Sequence, residues 1–146
     1  LGCTFFAPCQ GLFPFNRFFV NLMALLEYCY DDEEIAARKE HAIIQCRKYN
    51  AIDDSDYAAQ RAQLKETLGI ISEKVWIEKT FCCDNGRNIY IGDNFAGNFN
   101  LTILDIREVR IGNHVMIGTN TLITTVGNPL SSAGIRFRQA RTQAAV

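Results

Sequence analysis

Apolar and polar positions change their rhythm once along the chain, close to Gly69. Before it, Ile35, Ala42, Ile43, Cys46 and Tyr49 recur at helical spacing behind an acidic cap, Asp31 with Glu34 three residues later. That spacing predicts one amphipathic helix over 32–49, which Asn50 can end. Asp54 or Ser55 can cap a second helix in which Tyr57, Arg61, Leu64 and Leu68 share a face until Gly69 supplies a left-handed stop. A helical hairpin is therefore expected over 31–69. Beyond Gly69 only short, largely β-branched segments remain: Val75-Trp76-Ile77, Ile89-Tyr90-Ile91, Leu101-Thr102-Ile103, Val109-Arg110-Ile111, Val115-Met116-Ile117 and Leu122-Ile123.

The register of these segments carries the information. Ile91-Gly92-Asp93-Asn94-Phe95-Ala96 is echoed by Ile111-Gly112-Asn113-His114-Val115-Met116 and at once by Ile117-Gly118-Thr119-Asn120-Thr121-Leu122. In such a hexapeptide repeat an aliphatic residue at every sixth position points into a narrow axis. The glycine beside it permits a tight corner, and Asn or Asp tolerates left-handed backbone angles. Successive coils then stack as parallel strands, so the expected fold class is mainly β with an α-helical cap, a parallel β-helix preceded by a helical hairpin.

Composition narrows the alternatives. The 146 residues are 48% hydrophobic and 21% charged, enough to bury one core and to exclude wholesale disorder. A formal net charge of -1 gives no long-range field that would draw in nucleic acid or an anionic membrane, so neither is expected as a partner. Cys3, Cys9, Cys29, Cys46, Cys82 and Cys83 form no CxxC pair and no zinc-finger spacing, which points to free thiols, no metal and a reducing, cytoplasmic setting. Residues 1–22 are aromatic-rich, interrupted by Pro8, Pro14, Asn16 and Arg17, and fit neither a membrane span nor a signal peptide. They read as an atypical leader outside the fold.

Four stretches together resemble the maltose, galactoside and nodulation sugar O-acetyltransferases: Tyr28 through Asn50, Val75 to Asp84, Asn88 to Asp105, and Val109 to Arg136. The resemblance implies a helical cap over 23–72 running into a left-handed β-helix over 73–136. It also implies transfer of an acetyl group from acetyl-CoA to a sugar hydroxyl by direct attack, in a homotrimer whose sites lie between subunits. On this comparison the β-helix is incomplete, 137–146 is a tail, and the chain looks truncated, with most of the coenzyme site missing.

Transfer to an alcohol needs a base within reach of the hydroxyl proton. The family supplies a histidine in a T-x-x-H-P type stretch. Here the stretch is Thr124-Thr125-Val126-Gly127-Asn128-Pro129, so the resemblance places Asn128 at the catalytic position, and an amide cannot accept that proton at neutral pH. Asn98 matches the acceptor-site asparagine, Asp84 stands where several members place a polar sugar-binding side chain, and Asp105 matches an acid just after the next strand. Each also has a purely architectural reading: Asn98 as a corner residue, Asp105 as a turn cap, Asp84 as part of the Asp84-Asn85-Gly86 turn. His41 reads as solvated, His114 as pointing outward from its coil, Cys82-Cys83 as packing residues and the tail arginines Arg136, Arg138 and Arg141 as solvated. Two functions stay open: a sugar O-acetyltransferase disabled or weakened at Asn128, or a non-enzymatic remnant or β-helical interaction protein.

Overall fold

The computed structural model of the protein describes residues 27–29, 32–127 and 139–142. Helix α1 (Glu33–Ala51) starts at Asp32, whose Oδ1 accepts from the backbone N–H groups of Glu34 and Ile35 at 3.0 and 3.1 Å. The cap is thus Asp32, not Asp31. Glu34 does not reach back to close a capping box; its carboxylate pairs with Arg38 one turn on. Helix α2 (Tyr57–Thr67) is capped by Asp56 rather than by Asp54 or Ser55, because the Asp53 side chain already holds Ser55 in a preceding turn.

Helical spacing identified the buried stripe only in part. Ala42, Cys46 and Tyr49 of α1 and Leu64 with the following Leu68 enter the core, whereas Ile43 and Tyr57 stay exposed. Gly69 does not supply a left-handed stop: α2 ends at Leu68 in extended conformation. Glycine is required there for another reason. A Cβ at Gly69 would lie 2.4 Å from the carbonyl oxygen of Arg87, so the end of the cap presses directly on the first loop of the coil.

From Ile70 the chain winds through three coils of three strands. They are β2 (Ile70–Ile71), β3 (Val75–Ile77) and β4 (Phe81–Cys83); then β5 (Ile89–Ile91), β6 (Phe95–Gly97) and β7 (Leu101–Leu104); then β8 (Val109–Ile111), β9 (Met116–Ile117) and β10 (Leu122–Thr124). They stack into three parallel sheets, β2-β5-β8, β3-β6-β9 and β4-β7-β10, the faces of a left-handed β-helix. A fourth, antiparallel sheet joins β1 (Glu27–Cys29) and β11 (Val126–Gly127) to the two sides of β12 (Gln139–Thr142).

Partners in the parallel sheets stand 20 residues apart, as Val75 with Phe95, Phe81 with Leu101, Ile89 with Val109 and Ile103 with Ile123. Three hexapeptides do not fill a coil of that length. The surplus is taken up at one wide corner, residues 84–88 after β4 and 105–108 after β7. The other two corners are tight and turn at left-handed residues, Asn94 and His114 at one and Asn100 and Asn120 at the other, all with φ between 57° and 60°. The left-handed turn therefore falls two residues after the repeat's glycine, on the Asn or His position. Alternate residues Val75, Ile77, Phe81, Cys83, Ile89, Ile91, Phe95, Leu101, Ile103 and Val109 fill the axis. Among the described residues no helix is long and apolar enough to cross a membrane.

Candidate functional site

The wide corner is where the cap meets the coils, and its backbone needs partners that strands do not provide. A polar column supplies them. Asn85, Asp105 and Thr125 occupy the same place in successive coils, and all three are buried. Asp105 is wholly enclosed, its Oδ1 accepting the N–H groups of Asp84 at 3.1 Å and Asn85 at 2.9 Å while Oδ2 has no partner. Thr125 serves the next coil differently, taking the N–H of Arg107 at 3.0 Å and donating to the carbonyl of Leu104 at 2.8 Å. Asn88 closes the corner by donating to the carbonyls of Asp105 and Ile106. Burial pushes the Asp105 carboxyl up to about 6, against the opposing pull of the backbone N–H groups that it accepts.

Contacts from α1 fasten the cap to the first coil and to this corner. The Asn50 side chain exchanges two hydrogen bonds with the backbone of Phe81, Oδ1 accepting at 2.9 Å and Nδ2 donating at 2.8 Å, as a neighbouring strand would. The Tyr49 hydroxyl donates to the carbonyl of Ile77. Lys39 Nζ stands 3.5 Å from Asp84 Oδ2, with both side chains mostly covered. Between α1 and the corner opens a cavity of about 540 Å³, lined by Glu34, Ala37, Arg38, His41, Asn85, Arg87 and Asn88.

The structure brings Asp84 and Asp105 together and gives them different tasks. Asp105 touches no solvent and acts on Asp84 through the turn; Asp84 presents its carboxylate at the surface edge beside Lys39. Asn98 is elsewhere, exposed at the tight corner before β7, where its Oδ1 accepts the N–H of Phe99 at 2.8 Å. The length of β7 separates it from the wide corner, a span on the order of 15–20 Å. Asn128 lies outside the described residues. Lys39, Asn50, Asn85 and Thr125 were missed from sequence, although the 20-residue spacing of Asn85, Asp105 and Thr125 was a usable signal for the column.

A second cavity of about 510 Å³ lies between α2 and the outer face of β3, β6 and β9, lined among others by Tyr57, Arg61, Trp76, Asn94, His114 and Met116. His114 is exposed there, with Nδ1 2.9 Å from Asn94 Nδ2. Among the described residues no group of three or more His, Cys, Asp or Glu side chains could hold a metal ion.

Residues 26–71 match the family described as the maltose acetyltransferase hexapeptide capping motif. A Saccharomyces cerevisiae protein named as an acetyltransferase is 42% identical over 101 residues, which cover 69% of this chain and 51% of that protein. The crystal structure of a maltose O-acetyltransferase from Clostridium difficile superposes with a TM-score of 0.77 at 25% identity, over 80% of this chain and 62% of the other. Cap and coils together make the chain similar, over most of its length, to the hexapeptide-repeat sugar O-acetyltransferases. A galactoside acetyltransferase solved in complex with coenzyme A is similar to the same extent, with a TM-score of 0.75 at 26% identity, over 80% of this chain and 58% of its own. The chain spans about half the length of the curated family relatives that it matches.

Proposed function

We propose that the protein is an acetyl-CoA-dependent O-acetyltransferase acting on a sugar hydroxyl, slowed by the amide at position 128. The observation that carries this reading is the joint match of cap and coils: the capping motif over 26–71 and the superposition of 80% of the chain on a maltose O-acetyltransferase. The coenzyme assignment follows from the coenzyme A held by the similar galactoside acetyltransferase.

In this reading Asp84, steadied by Lys39 and by the turn that Asp105 holds, accepts hydrogen bonds from sugar hydroxyls. Asn98 binds the same acceptor from a neighbouring copy. Asp84, just after β4, and Asn98, just before its neighbour β7, lie at opposite edges of one face of a chain, too far apart to share a monosaccharide, which supports a homotrimer with its sites between subunits. Asn128 stands at the general-base position, where its amide orients the hydroxyl without removing the proton.

The test is product. The protein and its Asn128→His variant are incubated with acetyl-CoA and a panel of glucosides, galactosides and maltose, and acetylated sugar is sought by mass spectrometry. The reading expects little product from the parent and at least 100-fold more from Asn128→His, roughly the value of a positioned base. Silence from both proteins would favour the other reading, a β-helical protein that binds partners without catalysis, to which Asn128 also lends support.

A further inference from the structure

Cys46 of α1 and Cys83 of β4 meet inside the junction between cap and coils, with their sulfur atoms 3.5 Å apart. Both are free thiols and both are buried. Their surroundings hold them in place: Asn50 clamps α1 to Phe81, two residues before Cys83, and the rings of Tyr49 and Phe81 pack edge to face at 6.2 Å between centroids. A disulfide needs a sulfur separation of about 2 Å, so each sulfur atom has less than about 1 Å to travel, within reach of small side-chain rotations.

We propose that Cys46 and Cys83 are an oxidisable dithiol that closes to a disulfide, covalently tying the cap helix to the first coil. The site is independent of the acetyl-transfer reading and takes a small hydroperoxide as its oxidant. Cys46 is the nucleophile. The hydrogen bond between the two sulfur atoms lowers the pKa of Cys46, whereas the same contact together with burial raises that of Cys83. The neighbouring Cys82 is exposed, yet partial burial and the charge of Cys46 push its thiol up as well, so access alone does not make it the better nucleophile.

The chemistry balances as follows. The Cys46 thiolate attacks one oxygen of hydrogen peroxide, the O–O bond breaks, and a sulfenic acid and one water are formed after protonation; an organic hydroperoxide would release its alcohol instead. The Cys83 sulfur then attacks the sulfenic sulfur, and the hydroxyl leaves with the Cys83 proton as a second water. Two thiols are oxidised to one disulfide, and one hydroperoxide is reduced. Transient opening of the cap admits the oxidant.

The experiment treats the full chain with hydrogen peroxide, blocks remaining thiols by alkylation, digests with trypsin without reduction and maps the peptides. Cleavage after Lys39, Arg47, Lys79 and Arg87 puts Cys46 in peptide 40–47 and Cys82 with Cys83 in peptide 80–87. The expected result is a 40–47/80–87 cross-link that disappears on reduction and persists in Cys82→Ser, which removes the exposed competitor. Closing a loop of this length should also raise the Tm by on the order of 10 °C. A cross-link lost in Cys82→Ser would overturn the proposal, as would peptide 40–47 recovered alkylated while other cysteines are oxidised. A cross-link that lowers the Tm would show that the pair closes only by distorting the fold, and would equally overturn it.

Discussion

Replacing Asp105 with asparagine should make the protein more stable at neutral pH. The carboxyl is wholly enclosed, one oxygen is committed to two backbone N–H groups, and the other has no partner. Desolvation therefore outweighs the hydrogen bonds and holds the group up at about 6, well above the ordinary carboxylate value of 3.8. That displacement corresponds to on the order of 3 kcal/mol between pH 4 and pH 7. The sign follows from linkage. Since the folded value lies above the unfolded one, the favourable contribution of Asp105 is present in full below about pH 4 and is lost as pH rises through about 6.

Asparagine keeps an oxygen for the N–H groups of Asp84 and Asn85 and carries no charge to desolvate. Asp105→Asn should thus gain about 1–3 kcal/mol over the parent at pH 7.5 and match it at pH 4. Asp105→Ala leaves both N–H groups without an acceptor and should lose about 2–5 kcal/mol at pH 4, and about 3 kcal/mol less than that at pH 7.5, where the parent carries the buried charge. Urea unfolding read by the single tryptophan, Trp76, at one protein concentration measures all three. A loss of stability in Asp105→Asn at pH 7.5, or a difference from the parent that does not change with pH, would refute the argument that burial dominates at this carboxyl.

Two substitutions test the junction around this corner. Gly86 has φ of 79° and a Cβ there would lie 2.4 Å from the carbonyl oxygen of Thr67, so Gly86→Ala should lower stability by about 2–4 kcal/mol in the same urea titration. Asn50→Ala removes both hydrogen bonds to Phe81 and should cost about 1–3 kcal/mol; hydrogen exchange should show the amide of Phe81 losing protection while that of Ile103 keeps it.

The β-helix was legible because Ile-Gly-x-Asn and Ile-Gly-x-His place an aliphatic residue and a left-handed corner at fixed spacing, and those corners are where the backbone turns. Phe81-Cys82-Cys83 and Phe95-Ala96-Gly97 escaped notice as strands because phenylalanine, cysteine and glycine at inward places break the β-branched pattern. Helix starts were blurred by runs of equivalent caps: Asp31 and Asp32 differ little as sequence, and among Asp53, Asp54, Ser55 and Asp56 the choice depends on which side chain the preceding turn has already engaged. Of the candidate site, resemblance singled out Asp84 and Asp105, and the fold sets them side by side. Their division of labour was not legible, since only the 20-residue coil puts the Asp105 carboxyl under the N–H groups of Asp84 and Asn85.

The claim that the acceptor pocket is shared between copies can be tested by complementation. In the Asn128→His background, Asp84→Ala and Asn98→Ala are produced separately and by co-expression, and acetylated sugar is measured at equal protein concentration. The account predicts that each variant alone loses nearly all acetyl transfer. The co-expressed mixture should recover about a quarter of the background rate, the share of sites that random trimers assemble with both side chains intact. No recovery on mixing, with both variants still trimeric, would place Asp84 and Asn98 in separate roles and contradict the account.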